Sequence, residues 1–239
     1  MTLTGRIIST IGRHPDGMSN SDLVALLRKE ANYREESVLH IINRLIREGR
    51  IKKEDFRLFP GNDFKPIFHI DPDEKTRKLF TTLKTVFPFT HISIWHTDAI
   101  LPLMHNIPNI SLTIVGAERL ATDSVVDTLE NLTDSLILRD SEKNTLTRLA
   151  ANRELVVVTP QVSQAPVEVS DGITVPTLEK ILVDILCDNS LHAFTGSEAY
   201  AIYATAFDRY AVNRKTLLRY AGRRHRTETV NTIMKEIQK

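Results

Sequence analysis

The chain of 239 residues contains a single cysteine, Cys187, and no long apolar run. One thiol cannot build a disulfide framework or a cysteine-based metal site. No stretch approaches the roughly 18 apolar residues of a membrane-spanning helix, and residues 1–17 lack the apolar core of a signal peptide. These absences predict a cytoplasmic protein without a membrane partner.

Motifs of common enzyme classes are also missing. The sequence has no phosphate-binding loop, no glycine-rich nucleotide motif and no serine elbow, and the apolar segment "LVVVTP" lacks the acid-x-Lys pattern of restriction-type nucleases. The pair His96 and Asp98 could bind a metal ion or act as acid and base, but the sequence offers no obvious third ligand. We therefore predict a protein that is not an enzyme and needs no cofactor or metal. A metal-dependent nucleic-acid enzyme using this pair is the less favoured alternative.

Basic residues are concentrated at the two ends of the chain. Residues 1–70 hold 12 Lys and Arg against 9 Asp and Glu, a net charge of +3. Residues 71–208 hold 10 against 19, a net charge of −9, and residues 209–239 hold 9 against 2, a net charge of +7. Basic ends indicate a polyanionic partner. A solvated basic tail is the alternative interpretation.

Helical periodicity dominates residues 1–50. Apolar residues from Leu3 to Ile11 lie on one side of a predicted first helix. Residues Ser19 to Asp22 form the S-x-x-D pattern of a helix start. A longer apolar stripe that begins at Val38 predicts a helix over 33–48, ended by Gly49.

A hairpin is predicted after these helices. Its strands would be "RIKKEDFRLF" and "FKPIFHI", joined by a turn at Pro60 and Gly61. Helices followed by a hairpin describe a winged helix-turn-helix, and the segment resembles the winged-helix domains of bacterial transcription regulators. DNA binding would use the outer face of the 33–48 helix, the hairpin and the basic tail. The candidate residues are Tyr33, Arg34, Ser37, His40, Asn43, Arg44, Lys52, Lys53, Arg57, Arg223, Arg224 and Arg226. A winged helix that binds protein is the alternative.

Apolar and helical segments alternate between residues 91 and 160. This alternation predicts a small α/β layer. The predicted strands are "HISIWHT", "NISLTIVGA", "DSLILRD" and "ELVVVTP", and the predicted helices are "ERLATDSVVDTLENL" and "SEKNTLTRLAAN".

The segment "VPTLEKILVDILCD" predicts a further helix, over 177–187. Its apolar residues repeat at helical spacing after Pro176, which suits a first helical turn. The remaining arc is charged and holds Glu179, Lys180, Asp184 and Asp188. We expect a packing helix with a solvated, charged edge rather than a catalytic site.

The same segment carries a family resemblance. "VPTLEKILVDIL" is similar to the P-x-x-EK-x-L-x-D helix of AbiEi-type antitoxins, and "FTGSEAYAIYATAFDRYAVNRKTLLRYAGRRHR" resembles the helical end of their C-terminal domain. The resemblance implies the transcription regulator and antitoxin of a type IV toxin–antitoxin pair. It also implies a protein that represses its own operon and counteracts a nucleotidyltransferase-like toxin without forming a stable complex. The long wing, "FRLFPGNDFKP", departs from the short basic hairpin of many relatives.

The predicted fold is α+β or α/β. A winged helix-turn-helix spans residues 1–72, and a mixed α/β domain spans 73–239 and ends in a bundle-like helical segment with a basic tail. The predicted function is a DNA-binding transcriptional regulator and antitoxin, whose partner is the double-stranded DNA of its own promoter. An interaction protein that binds a partner toxin directly is the alternative.

Overall fold

The computed structural model describes residues 2–31, 33–108, 110–139 and 155–237, which form two compact α+β units. Unit 1 comprises Met1–Phe68 and Asp208–Ala211. Unit 2 comprises His69–Phe207 and Val212–Lys239. The sequence predicted a domain boundary after residue 72. In the structure, the first segment of unit 1 ends at Phe68, and the unit also contains residues 208–211, which the prediction placed in the second domain.

Unit 1 is built from short helices and a small antiparallel sheet. Its elements are α1 (Leu3–Gly12), β1 (Met18–Ser19), α2 (Asn20–Ala31), α3 (Glu35–Arg47), β2 (Ile51–Glu54) and β3 (Arg57–Pro60). The sheet order is β1-β3-β2, with both pairs antiparallel. The hydroxyl of Ser19 accepts a hydrogen bond from the backbone N–H of Asp22 at 3.1 Å, as the S-x-x-D pattern predicts. Gly49 follows α3 in the left-handed region, with φ of +70°.

The apolar stripes of the three helices meet in one core. Ile7 and Ile11 of α1, Leu23 of α2, and Val38 and Leu45 of α3 are fully buried. The predicted helical periodicity is therefore confirmed at these positions. Ile51 and Leu58 of the hairpin close the same core, so the hairpin is held at its base by apolar packing.

The predicted turn at Pro60 and Gly61 is wrong. The hairpin turns earlier, at Asp55 and Phe56, whose φ values are +44° and +65°. Pro60 instead ends β3 and pairs with Ile51. Proline and glycine suggested the turn, but the earlier turn lets Leu58 and Ile51 enter the core of unit 1. Pro60 is the last residue of the central strand β3 and lies beyond the two residues that pair with β1, so its missing N–H costs no bond to β1. The predicted second strand after Gly61 does not form.

Residues 208–211 complete unit 1. The backbone N–H of Ala211 donates to the carbonyl of Pro66 at 2.9 Å. Phe68 and Tyr210 meet edge to face, with ring centroids 5.2 Å apart. Such aromatic pairs add to the stabilisation from burial alone.

Unit 2 contains a four-stranded sheet, a hairpin and a group of C-terminal helices. The sheet strands are β4 (Ile92–His96), β5 (Leu112–Glu118), β6 (Leu136–Arg139) and β7 (Leu155–Gln161), and the hairpin strands are β8 (Val167–Ser170) and β9 (Ile173–Pro176). The helices are α4 (Glu74–Val86), α5 (Thr122–Leu132), α6 (Leu178–Asp184), α7 (Ser197–Arg209), α8 (Arg214–Arg223) and α9 (Thr227–Glu236).

The four predicted strands of the α/β layer are confirmed. Their order is β4-β5-β7-β6, with β4 antiparallel to β5 and the other pairs parallel. The predicted helix after β5 begins only at Thr122, and Leu120 is exposed rather than part of its apolar stripe. The predicted helix "SEKNTLTRLAAN" lies outside the described residues.

Sequence reasoning missed the hairpin β8–β9, although the signal was present. Asp171 and Gly172 form its two-residue turn with φ values of +47° and +81°, and Asp-Gly is a strong hairpin signal. The helix after β9 is shorter than predicted. It ends at Asp184, whereas the sequence predicted an end at residue 187. Among the described residues, every helix is too short or too polar to cross a bilayer.

Candidate functional site

The outer face of α3 is the first candidate site. The polar residues Arg34, Ser37, His40, Asn43 and Arg44 are all exposed, opposite the buried stripe. Tyr33 differs because its ring is half-buried and packs against the core of unit 1. The helix therefore presents a continuous polar surface of about three turns.

Charges of both signs line this face. Glu35 and Glu36 occupy the first turn of α3, where carboxylates interact favourably with the helix dipole. The guanidinium of Arg44 donates to the hydroxyl of Thr4 at 3.0 Å and lies 3.5 Å from the carboxylate of Glu48. Arg44 is thus held in place by α1 while remaining partly exposed.

The hairpin β2–β3 adds three exposed cations beside α3. The amine of Lys52 lies 2.5 Å from the carboxylate of Glu54, and the guanidinium of Arg57 donates to the carbonyl of Asp16 at 3.2 Å. Lys53 is also exposed. Surface pairs of this kind are weak, so these cations can exchange partners at little cost.

The three arginines predicted in the basic tail are bound within unit 2. Arg223 donates to Ser163 and Gln164 at 3.1 and 2.6 Å, and Arg226 donates to the carbonyl of Leu186 at 3.0 Å. Arg224 is largely buried and ion-paired. The proposed DNA surface therefore loses Arg224, whose guanidinium is already occupied by carboxylates.

The charged edge of α6 forms a second, buried site. Lys180 and Asp184 are only 5% and 4% exposed, so the predicted solvated edge is wrong. The amine of Lys180 contacts one carboxylate oxygen of Asp184 at 2.5 Å. The other oxygen accepts from the hydroxyl of Tyr220 at 2.8 Å and lies 3.3 Å from the guanidinium of Arg224. Arg224 also pairs with Asp188.

This buried charge cluster, Lys180, Asp184, Asp188, Tyr220 and Arg224, joins α6 to α8. Two cations balance two carboxylates, as a low-dielectric interior requires. Burial and the charge of Asp184 raise the pKa of Asp188 to about 7, against the opposing effect of Arg224. Burial opposes the charge of Arg224, but the Asp188 and Asp184 carboxylates outweigh it and raise the pKa of the guanidinium. Burial also raises the pKa of Tyr220, which keeps its proton to donate to Asp184.

Two further polar side chains on or near α6 form hydrogen bonds to the backbone of unit 2. One carboxylate oxygen of Glu179 accepts from the backbone N–H of Asn213 at 2.8 Å, just before α8 begins. The hydroxyl of Tyr203 donates to the carbonyl of Leu182 at 2.9 Å. All seven residues of α6 are buried, the charged ones included. The i, i+4, i+8 spacing of Lys180, Asp184 and Asp188 also places them on one face.

The His96 and Asp98 pair gains a third member, Ser111. The serine hydroxyl lies 3.2 Å from Nε2 of His96 and donates to Asp98 at 2.8 Å, while the backbone N–H of Asp98 donates to Nδ1 of His96 at 3.4 Å. Nδ1 of His96 also lies 3.4 Å from the carboxylate of Asp98, so the direction of the contact between His96 and Ser111 depends on the tautomer of the imidazole. No group of three metal-ligating side chains occurs in the described residues.

The chain is thus a two-unit α+β protein with an exposed polar helix face in one unit and a buried charge cluster in the other. Residues 37–239 match the model of a family of unknown function (DUF6577). The chain belongs to this family. The matched region begins inside α3 and includes the hairpin and all of unit 2. None of the curated proteins compared with the chain matches it.

Proposed function

We propose that the protein is a DNA-binding transcriptional regulator. Unit 1 would act as a winged helix-turn-helix, with α3 as the recognition helix and β2–β3 as the wing. The observation that carries the proposal is the exposed outer face of α3, with Arg34, Ser37, His40 and Asn43 pointing away from the core. The order of helices and strands in unit 1, with only three residues between the end of α2 and the start of α3, supports the same interpretation.

The proposed interface divides into base contacts and phosphate contacts. Residues at the start of a recognition helix reach base edges in the major groove, and cations further along or on a wing meet phosphate. Arg34 and Ser37 stand at the start of α3. Arg44 lies towards the other end, and Lys53 lies on the hairpin. Arg34 is therefore the candidate base reader, and the other two cations are candidate phosphate contacts.

The biological role we propose is that of an autorepressor and antitoxin. The support is the similarity of the α6 segment and the C-terminal helices to AbiEi-type antitoxins. In that role, the protein would bind its own promoter and oppose a nucleotidyltransferase-like toxin without a stable complex. Direct binding of the toxin by unit 1 is the second candidate. Glu35 and Glu36 at the start of α3 favour it, because carboxylates there oppose phosphate.

The test compares variants on two duplexes. A preferred duplex is selected from a random library with the full-length protein, and a scrambled duplex of equal composition serves as reference. We expect Arg34→Ala to cost about 1–3 kcal/mol on the preferred duplex and much less on the scrambled one. Arg44→Ala and Lys53→Ala should weaken binding to both similarly. Fluorescence anisotropy at fixed salt measures all affinities.

Lys78→Ala is the matched control, because it removes an exposed cation of unit 2 that pairs with Glu74. It should leave both affinities unchanged. Equal losses on the two duplexes for Arg34→Ala would contradict base reading. Failure of the wild-type protein to select any duplex, together with capture of the toxin by unit 1, would favour the second candidate.

A further inference from the structure

The tip of the hairpin β2–β3 has an unusual residue in its turn. Asp55 and Phe56 form a two-residue turn between Glu54 and Arg57, the last pair of the ladder. Both turn residues have positive φ, +44° and +65°. Two-residue hairpin turns with positive φ at both positions favour Asn-Gly or Asp-Gly. A phenylalanine in the second position is a conformational outlier, because bulky side chains rarely adopt the left-handed region.

The aromatic ring of Phe56 is not used to stabilise unit 1. It is 85% exposed. The hairpin is anchored by Ile51 and Leu58, which are buried at 2% and 0% exposure. Glycine would fit the backbone of this turn better, and it would expose no ring to water. Strained residues kept in place by their surroundings are concentrated at ligand-binding sites.

The surroundings of Phe56 suit a nucleic acid. Arg57 directly follows the turn, and Lys53 lies two residues before it. Both are exposed, and the guanidinium of Arg57 donates to the carbonyl of Asp16 at 3.2 Å. The two carboxylates of the tip are Glu54, which is neutralised by Lys52 at 2.5 Å, and Asp55. The exposed ring offers a stacking surface for a base, and the cations of the hairpin offer charges for the adjacent phosphates.

We propose that Phe56 is a wedge that inserts from the wing into the minor groove of double-stranded DNA and partly unstacks a base step. This proposal rests on the proposed DNA-binding function and adds a contact to it. Apolar side chains act in this way in minor-groove-binding proteins, where they kink the duplex. Pyrimidine–purine steps unstack most readily. The proposal therefore predicts a preference for such a step at the position of the wing.

The test uses the full-length protein and Phe56→Gly, a variant that relieves the left-handed backbone and so folds at least as well. The probes are the selected duplex and the same duplex with 2-aminopurine at the proposed step. We expect Phe56→Gly to bind about ten-fold more weakly, as for the loss of one stacking contact. The salt dependence of binding should not change, because no charge is lost. Wild-type protein should increase 2-aminopurine fluorescence, and the variant should not.

Phe89→Ala is the control, because Phe89 is the other strongly exposed phenylalanine, at 95%, and lies in unit 2. It should retain full affinity and the fluorescence increase. Undiminished binding and fluorescence with Phe56→Gly would overturn the wedge while leaving DNA binding by α3 intact. If the wild-type protein binds no duplex, the wedge and the proposed function both fail.

Discussion

The two groups of cations in this protein differ in their access to water. Those on α3 and the hairpin of unit 1 are exposed, and their ion pairs lie at the surface. Those of the buried charge cluster in unit 2 are enclosed, with side-chain exposures of 6% for Lys180 and 15% for Arg224. Both groups consist of lysines and arginines. Only the surroundings decide whether a cation is available to a partner.

The comparison separates binding from stability. An exposed cation loses little by exchanging water or a weak partner for phosphate. A buried cation has already lost its hydration, and its carboxylate partners compensate for that loss. We therefore expect charge changes in unit 1 to alter binding, and charge changes in the cluster to alter folding. The following experiments test this division, starting with the largest expected effect.

Asp184→Ala should cause the largest loss. The variant leaves Lys180, Tyr220 and Arg224 without a shared acceptor. Breaking a buried pair from one side costs about 3–5 kcal/mol of unfolding free energy. Chemical denaturation measures this value. Asp127→Ala, which removes an exposed carboxylate from α5, is the control and should change stability by less than about 0.5 kcal/mol.

A double variant sharpens this result. Adding Lys180→Met to Asp184→Ala removes the cation that the first change leaves uncompensated. The double variant should therefore lose less stability than the sum of the two single variants. Strict additivity would mean that Lys180 and Asp184 are not coupled in the folded protein. The cluster would then be no different from the surface pairs of unit 1.

The pH dependence of stability should report on Asp188. Its folded-state pKa of about 7 lies above the ordinary value of 3.8, so the folded state binds the proton more tightly. Its contribution to the unfolding free energy is therefore fully present below about pH 4 and is lost as the pH rises towards 7. The slope is at most about 1.4 kcal/mol per pH unit.

Asp188→Asn isolates this contribution, because the amide cannot ionise and still offers an acceptor to Arg224. Denaturation curves for wild type and variant at several pH values between 4 and 8 give the difference in slope. We expect the unfolding free energy of the variant to lack the decline that Asp188 causes in the wild type as the pH rises from about 4 towards 7. Parallel pH profiles for the two proteins would show that Asp188 does not titrate in this range.

Lys53→Ala should have the smallest effect on stability, below about 0.5 kcal/mol, because its side chain is exposed. Its main effect should be on the affinity for DNA. Loss of one phosphate contact should reduce the slope of log affinity against log salt by about 1. Salt titration on the scrambled duplex measures that slope. A marked loss of stability with an unchanged slope would break the division between the two groups of cations.

Helices and sheet strands with strong periodicity were predictable from the sequence alone. The stripes of α1 and α3 and the four strands β4 to β7 follow from the spacing of apolar residues, which fixes the face that each element buries. Gly49 and the Ser19 cap follow from local backbone requirements. The Asp171–Gly172 turn could also have been predicted, since its signal is local. The outward-facing residues of α3 could be predicted from the position of its apolar stripe alone.

Other features required the tertiary structure. The hairpin turn at Asp55 and Phe56 depends on the burial of Leu58 beside Ile51, which outweighed the local signal of Pro60 and Gly61. The burial of Lys180 and Asp184 depends on Tyr220 and Arg224, which are distant in sequence and approach only when α8 packs on α6. A charged arc on a helix looks the same in sequence whether water or a salt bridge faces it. Periodicity determines which residues share a face, and long-range packing decides what that face meets.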